Sequence, residues 1–188
     1  MPHKFDPQHM AKLEERRKIL PPKEILLELG LKSGEIMIDI GAGSGYFSIP
    51  ASEIVGEKGY VIAIDTSKEM IEELTSRVGI SGAGNIEVVL SEEYNFMVGK
   101  TITDFALICT VLHEVEDKII FLKAVKNVMK PNSTLAIVEW SKKPMEKGPP
   151  INDRIDALGT KGLLQQLGFH DIRSKDYNEY FYFVTALK

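Results

Sequence analysis

Short apolar runs alternate with helix-like segments along this sequence, and this alternation limits the possible folds more than any other feature. The runs predict strands over residues 36–40, 60–65, 86–90, 104–110 and 134–140. Strands that alternate with helices form a parallel sheet with helices on both faces. The last predicted strands, 169–174 and 179–187, leave no room for a helix between them, so we expect an antiparallel hairpin there. The pattern therefore predicts an α/β, doubly wound sheet of about seven strands, mostly parallel with the last strand antiparallel.

Proline, glycine and capping signals predict the helices. These are expected at about residues 6–19, 23–29, 44–55, 67–77, 116–128 and 153–167. Pro50 should bend the third helix, because it has no N–H to donate to the carbonyl of Tyr46. Residues 91–103 show no clear period and are predicted as a loop with at most one helical turn.

Composition limits the classes of partner. The chain has 188 residues, which suits a single domain over 1–188. A net charge of −4 argues against nucleic acid as the main partner. The single cysteine, Cys109, excludes an intramolecular disulfide and a multi-cysteine zinc site, and no metal is expected. Neither a secretory signal nor a membrane-spanning run is evident, so we expect a cytoplasmic protein without membrane contact.

Residues 37–47, MIDIGAGSGYF, place three glycines directly after the first predicted strand. Without Cβ atoms at Gly41, Gly43 and Gly45, the backbone can turn sharply and approach a ligand closely. A helix beginning just after the turn would favour an anionic group, either a pyrophosphate or a carboxylate. Tyr46 stands where the dinucleotide fingerprint has its third glycine, and no Lys-Ser/Thr follows as in a P-loop. A nicotinamide-dependent oxidoreductase is therefore disfavoured.

Asp65 ends the second predicted strand, where dinucleotide-binding folds place the acidic residue that holds a ribose. A carboxylate there accepts hydrogen bonds from both ribose hydroxyls and rejects a 2′-phosphate. The same residue is also suited to cap the following helix, and the two roles are compatible. The glycine turn and Asp65 together predict a nucleoside-containing ligand.

IMIDIGAGSGYF with Asp65 resembles the cofactor site of class I S-adenosylmethionine-dependent methyltransferases, whose pattern is apolar-apolar-Asp-apolar-G-x-G-x-G. VLHEVED after the fourth strand and VMKPNSTLAIVEW into the fifth extend the resemblance over nearly the whole chain. It is similar to small members near the ubiquinone/menaquinone-biosynthesis and arsenite-type methyltransferases, although one cysteine makes arsenic chemistry improbable. The resemblance implies a Rossmann-like fold, S-adenosyl-L-methionine as cofactor and S-adenosyl-L-homocysteine as product.

The resemblance also implies which residues meet the cofactor. Asp39 would orient the methionyl ammonium, or else is a plain strand-end residue. Met70 would lie against the adenine, or else is core, and Ser91 and Glu92 are the candidates for the adenine amino group. The residues expected to bind the cofactor are Asp39, Gly41, Ala42, Gly43, Ser44, Gly45, Tyr46, Asp65, Thr66, Met70, Ser91, Glu92, Thr110 and Val111.

The carboxyl ends of the fourth and fifth strands should flank the reacting methyl group. A general base is needed only if the acceptor must lose a proton. His113 is the leading candidate base, with Glu114 and Glu139 beside it as catalytic candidates. The alternatives are a wall histidine, and acidic residues that favour the N-terminus of the next helix.

The acceptor pocket is predicted from the remaining segments. The first 30 residues should form a helical lid, together with the loop over residues 141–155. Phe5, His9, Trp140 and Arg154 are the candidate pocket residues. A small-molecule acceptor fits a modest lid, and a macromolecular one stays open, as do the atom methylated and the oligomeric state. The competing function is a non-catalytic S-adenosylmethionine-binding regulator or partner subunit.

Overall fold

The structure, a computed structural model, describes residues 15–188, of which 15–19 are helical. The helix predicted from Asp6, and the pocket candidates Phe5 and His9, lie mostly or wholly outside the described residues. In chain order the elements are α1 (Pro22–Glu28), β1 (Ile36–Ile40), α2 (Ser48–Val55), β2 (Tyr60–Asp65), α3 (Lys68–Ser81), β3 (Ile86–Leu90), β4 (Thr103–Cys109), α4 (Lys118–Val128), β5 (Met129–Trp140), α5 (Ala157–Gln166), β6 (His170–Asp176) and β7 (Phe181–Leu187).

The strands form one sheet of seven in the order β3-β2-β1-β4-β5-β7-β6. The first five strands are parallel to one another, and β7 runs antiparallel to both β5 and β6. The predicted doubly wound sheet and its antiparallel end are confirmed. The hairpin turns back on itself so that β7, not β6, is the strand inserted beside β5.

Both faces of the sheet are covered, which explains why its central strands are almost continuously apolar. Along β4, Phe105 and Leu107 join a core cluster with α1 and α2, whereas Ala106 and Ile108 join one with α4 and α5. Alternate side chains of a strand point to opposite faces, so each strand supplies both clusters. Four leucine and isoleucine side chains of the predicted lid segment pack into the first of these clusters, those of Leu20, Ile25, Leu26 and Leu29.

The helix after the glycine turn begins at Ser48, not at Ser44 as predicted. All three glycines of the turn have positive φ, at 74°, 53° and 84°, which a right-handed helix does not accommodate. Pro50 consequently lies in the first turn of α2. Its missing N–H costs no hydrogen bond within the helix there, so the physical reason for a bend is removed.

Two other helix boundaries differ from the predicted ones. α5 begins at Ala157 rather than Asp153, because Asp156 caps it by accepting a hydrogen bond from the N–H of Gly159 at 2.7 Å. α3 continues to Ser81 and ends at Gly82, which adopts the left-handed conformation typical of helix ends. Residues 91–102 contain neither helix nor strand, as predicted.

Candidate functional site

The carboxyl ends of β1, β2, β3 and β4 meet at a cavity of about 500 Å³. Open parallel sheets bind ligands at this edge, where the strand order reverses. The predicted residues that line it are Asp39, Gly41, Ala42, Gly43, Ser44, Tyr46, Asp65, Thr66, Ser91, Glu92, Thr110, Val111 and Glu114. The lining residues that were not predicted are Arg16, Ile40, Phe47, Glu93, Phe96, Cys109, Val115 and Phe121.

The three glycines of the turn have different surroundings. A Cβ at Gly41 would overlap the side chain of Val111, and one at Gly45 would overlap Leu74 of α3. A Cβ at Gly43 would meet no protein atom within 4 Å. Gly43 therefore leaves the cavity open, whereas Gly45, which is absent from the lining, permits close packing of the turn against α3.

Asp65 holds the turn in place through both carboxylate oxygens. Oδ2 accepts a hydrogen bond from the N–H of Gly43 at 2.8 Å, and Oδ1 accepts one from the N–H of Ser67 at 2.9 Å. A carboxylate offers about four lone-pair directions, so Asp65 keeps acceptor capacity toward the cavity. The side chain of Ser67 caps α3, the role that was the alternative for Asp65.

Asp39 is a buried carboxylate in the cavity wall, with 2% of its surface exposed. Burial raises its pKa to about 6, and the charge of Asp65 adds to this. The hydroxyl of Ser48, which donates to Oδ2 at 2.6 Å, and the charge of Arg16 act in the opposite direction. A carboxylate with so little solvation is suited to receive a cation from a ligand.

Arg16 borders the same end of the cavity and was not predicted as a site residue. Its Nη2 donates to Oγ1 of Thr110 at 3.4 Å, and its guanidinium carbon lies 4.6 Å from the centroid of the Tyr46 ring. In the sequence it stands in a run of charged residues, RRK, that is also typical of a solvated helix face. The sequence alone does not distinguish Arg16 from Arg17. Only the folded chain shows that Arg16 is the one that lines the cavity.

Thr110 has a φ of 55°, in the left-handed region that β-branched residues rarely adopt. Its N–H donates to the carbonyl of Val138 at 2.8 Å, which holds this conformation at the end of β4. Such a backbone costs about 1–3 kcal/mol and is found mostly at functional sites. The strain turns the chain so that Thr110 and Val111 both line the cavity.

His113 and Glu139 form a buried pair beside the cavity. Nδ1 of the His113 ring lies 2.9 Å from Oε2 of Glu139, and the backbone N–H of His113 donates to Oε1 of the same carboxylate at 3.2 Å. Burial lowers the pKa of His113, but the hydrogen bond and charge of Glu139 and the charge of Glu114 outweigh it, so the pKa is raised. Glu139 thereby orients the imidazole and favours its charged form.

Glu114 lines the cavity, whereas the imidazole of His113 does not. Nε2 of His113 lies 3.6 Å from Oε1 of Glu114, whose side chain is 73% exposed. The imidazole therefore lies between one buried carboxylate and one that faces the cavity. The predicted catalytic residues are brought together, in the order Glu139, His113, Glu114 toward the cavity.

The other end of the cavity combines apolar and polar groups. Phe96 and Phe121 meet edge to face, with ring centroids 5.8 Å apart, and Val115 adds to the same wall. Ser91 and Glu92 follow β3 at this end. A flat heteroaromatic ring fits such a wall, because its faces contact apolar groups while its edge hydrogen-bonds. Met70, predicted to contact the adenine, is half-buried on α3 and is absent from the lining.

Trp140 and Arg154 lie away from the cavity. Trp140 packs against Phe181, with ring centroids 4.4 Å apart. Arg154 is 4% exposed and donates to four backbone carbonyls at 2.8–3.0 Å, those of Ser141, Lys143, Lys147 and Pro149. These contacts hold the loop before α5 in one conformation. A role in the acceptor pocket stays a prediction for both residues.

Within residues 15–188, no group of three or more His, Cys, Asp or Glu side chains is arranged to hold a metal ion. In the same part of the chain, no helix is long and apolar enough to cross a membrane.

Comparison with known proteins agrees with this geometry. A model of the methyltransferase domain family matches residues 31–183. A SAM dependent methyltransferase from Aquifex aeolicus superposes with a TM-score of 0.89 and 34% identity, covering 98% of this chain and 99% of that one.

Curated relatives are more distant. The ubiquinone/menaquinone biosynthesis C-methyltransferase UbiE of Vibrio vulnificus is 28% identical over 160 residues, covering 85% of this chain and 59% of the relative. The corresponding protein of Haemophilus ducreyi is 32% identical over 130 residues, covering 69% of this chain and 48% of the relative. The chain thus spans less than two thirds of the length of these relatives.

Proposed function

The chain belongs to the S-adenosylmethionine-dependent methyltransferases, and from that premise we propose that it methylates a small-molecule acceptor whose reacting atom loses a proton. The observation that carries the proposal is the line of Glu139, His113 and Glu114 running from the core to the cavity wall. A proton-accepting group beside the cofactor is useful only when the acceptor must be deprotonated.

Different residues of the cavity bind different parts of the cofactor in this proposal. When bound, S-adenosylmethionine supplies a methyl group on a positively charged sulfur. Gly43 leaves the space that the ligand needs, Asp65 accepts from the ribose hydroxyls, and Asp39 pairs with the ammonium group. The apolar wall beside Ser91 and Glu92 takes the adenine.

His113 is the proton acceptor in this proposal. In the tautomer whose Nδ1 donates to Oε2 of Glu139, Nε2 of His113 is left with a lone pair that can accept a proton. Glu114 is the cavity-facing group through which a proton leaving the acceptor arrives at Nε2. Glu139 then stabilises the imidazolium that forms.

The names of the curated relatives support an acceptor of this kind. They are C-methyltransferases, and methylation of a C–H carbon releases a proton. This chain is much shorter than those relatives, so the acceptor itself is a matter for direct assay. A cavity of about 500 Å³ that also takes the cofactor favours a small molecule.

The test combines ligand binding with an acceptor screen. Calorimetric titration with S-adenosylmethionine and S-adenosylhomocysteine establishes cofactor binding, and methyl incorporation from labelled cofactor identifies acceptors, with quinols and phenols tested first. His113→Asn should bind the cofactor normally and lose about 10²–10⁴-fold in turnover. His170→Asn, an exposed histidine on β6, is the matched control and should behave like the wild type. Full turnover in His113→Asn would disprove the assigned base.

A further inference from the structure

We propose that Arg16 binds the carboxylate at the amino-acid end of the cofactor, so that the short helical stretch over residues 15–19 contributes to the cofactor site. The inference rests on the proposed function and extends it to a residue that neither the glycine turn nor Asp65 indicates. Three independent observations support it: the charges of the cavity, the order of its strands and the unused donors of Arg16.

The described lining of the cavity is unbalanced in charge. It contains a single basic residue, Arg16, and five acidic ones, Asp39, Asp65, Glu92, Glu93 and Glu114. S-adenosylmethionine carries two positive groups, an ammonium and a sulfonium, and one negative group, a carboxylate. The acidic residues suit the positive groups and the hydroxyls. Of the described lining residues, Arg16 alone offers a full positive charge to the carboxylate.

The strand order places Arg16 at the appropriate end. Neighbouring strands are β3, β2, β1 and β4 in that sequence. With adenine beyond β3 and the ribose at Asp65 on β2, the amino-acid end lies over β1 and β4. Asp39 belongs to β1, and Thr110, which accepts a hydrogen bond from Arg16, directly follows β4. Asp39 and Arg16 thus form a complementary pair for an α-ammonium and an α-carboxylate.

Arg16 has hydrogen-bonding capacity to spare. Of its five N–H donors, one meets Oγ1 of Thr110 at the long distance of 3.4 Å, and no carboxylate of residues 15–188 lies within 4.0 Å of it. The Tyr46 ring lies against the guanidinium, with its centroid 4.6 Å from the guanidinium carbon. A planar fork with free donors is suited to a bidentate carboxylate.

The N-terminus of the helix after the glycine turn is a poorer partner than predicted. α2 begins at Ser48, and both Ser48 and the preceding Phe47 are buried, at 0% and 3% exposed. Within that first turn, Pro50 has no N–H and the N–H of Ile49 already donates to a backbone carbonyl at 3.2 Å. The helix end therefore offers a carboxylate few free donors, which leaves Arg16 as its main partner in this proposal.

Ligands with and without the carboxylate provide the test. S-adenosylhomocysteine, decarboxylated S-adenosylmethionine and 5′-methylthioadenosine are titrated into the wild type, Arg16→Met and Arg17→Met. Arg16→Met keeps an apolar stem over Tyr46, and Arg17 is its exposed neighbour. Loss of a charged hydrogen bond should weaken S-adenosylhomocysteine about 10–100-fold in Arg16→Met. The ligands without a carboxylate should bind Arg16→Met as tightly as wild type, or more tightly, and Arg17→Met should change nothing.

The outcomes separate the two proposals. Equal weakening of all three ligands in Arg16→Met would show that Arg16 only shapes the cavity, and would overturn the inference. Unchanged affinity for S-adenosylhomocysteine would overturn it as well. Arg16→Lys should recover part of the lost affinity, because it restores the charge without the fork. Failure of the wild type to bind S-adenosylhomocysteine would instead disprove the cofactor assignment on which both proposals rest.

Discussion

At the residue scale, Asp39 is a group whose burial opposes folding and serves binding. The pKa of its carboxyl is about 6 in the folded protein, against 3.8 for an ordinary aspartate. Between these pH values the folded protein holds the proton more tightly than the unfolded chain. The contribution of Asp39 to the free energy of unfolding therefore falls as the pH rises through this window and stays unfavourable above it.

Asp39→Asn should accordingly stabilise the ligand-free protein at pH 7.5, by about 1–3 kcal/mol. The amide oxygen can still accept from the hydroxyl of Ser48, so the local packing is kept. The same change removes the charge that we propose pairs with the ammonium, so S-adenosylhomocysteine should bind much more weakly. Urea unfolding and calorimetry measure both effects. The gain in stability should shrink toward pH 4, and a less stable variant at both pH values would contradict the assignment of unfavourable burial.

The pair of His113 and Glu139 predicts a specific pH dependence. In the proposed mechanism turnover needs Nε2 unprotonated, so turnover should rise with pH through the pKa of His113, which Glu139 holds above its usual 6.5. Glu139→Gln removes the charge that raises this pKa, so the rising limb of the kcat profile should move to lower pH as kcat falls. Glu116→Gln, an exposed neighbour without a contact to the imidazole, is the control. An unmoved limb in Glu139→Gln would exclude His113 as the titrating group.

At the element scale, the glycine turn separates two functions along five residues. Gly43 faces open space and Gly45 packs against Leu74, although both have positive φ. An alanine in the left-handed conformation costs about 1–2 kcal/mol at either position. An alanine at position 45 would also overlap the side chain of Leu74. An alanine at position 43 would meet no protein atom and would instead occupy space expected for a ligand.

Gly43→Ala and Gly45→Ala should therefore fail in opposite ways. Gly43→Ala should fold with a modest loss of stability and bind S-adenosylhomocysteine poorly. Gly45→Ala should lower the free energy of unfolding by a further ~1–3 kcal/mol, because Leu74 must shift in a packed core. Chemical denaturation and ligand titration on both variants check this. A Gly45→Ala protein that is as stable as Gly43→Ala would refute the packing role.

The elements differ in how far the sequence determines them. The buried strands were predictable because both faces of the sheet demand apolar residues, which leaves an unbroken run. The start of α2 was misplaced, since the spacing shows three glycines but not that all adopt positive φ. His113 and Glu139 were both candidates on residue type. Their contact across 26 positions depends on the pairing of β4 with β5, which no local pattern reveals.

At the scale of the whole molecule, β7 connects the fold to the candidate base. β5 carries Glu139, and it is paired on one side with β4 and on the other with β7, where Glu139 lies opposite Tyr182. Most β7 side chains are buried, whereas β6 at the edge is largely exposed. The position of Glu139 therefore depends on a strand that itself contributes nothing to the cavity lining.

Proline substitutions in the two strands of the hairpin should show this difference. Val184 lies in the interior of β7 and pairs with Ile137 of β5 and Ser174 of β6. Val184→Pro should abolish cooperative unfolding, because it disturbs hydrogen bonding within the sheet and a buried side chain. Ser174→Pro on the exposed edge should leave a folded protein with a lower melting temperature. Circular dichroism during heating distinguishes them, and similar melting curves for both would argue against a central role for β7.

The insertion of β7 between β5 and β6 also orders events on the ribosome. Every other strand leaves the exit tunnel before β7 does, so β5 waits with one edge unpaired while α5 and β6 are made. An apolar strand with a free edge is a template for wrong pairing, including with other nascent chains. Newly made copies of this protein should thus be most vulnerable to aggregation in the interval before β7 joins the sheet.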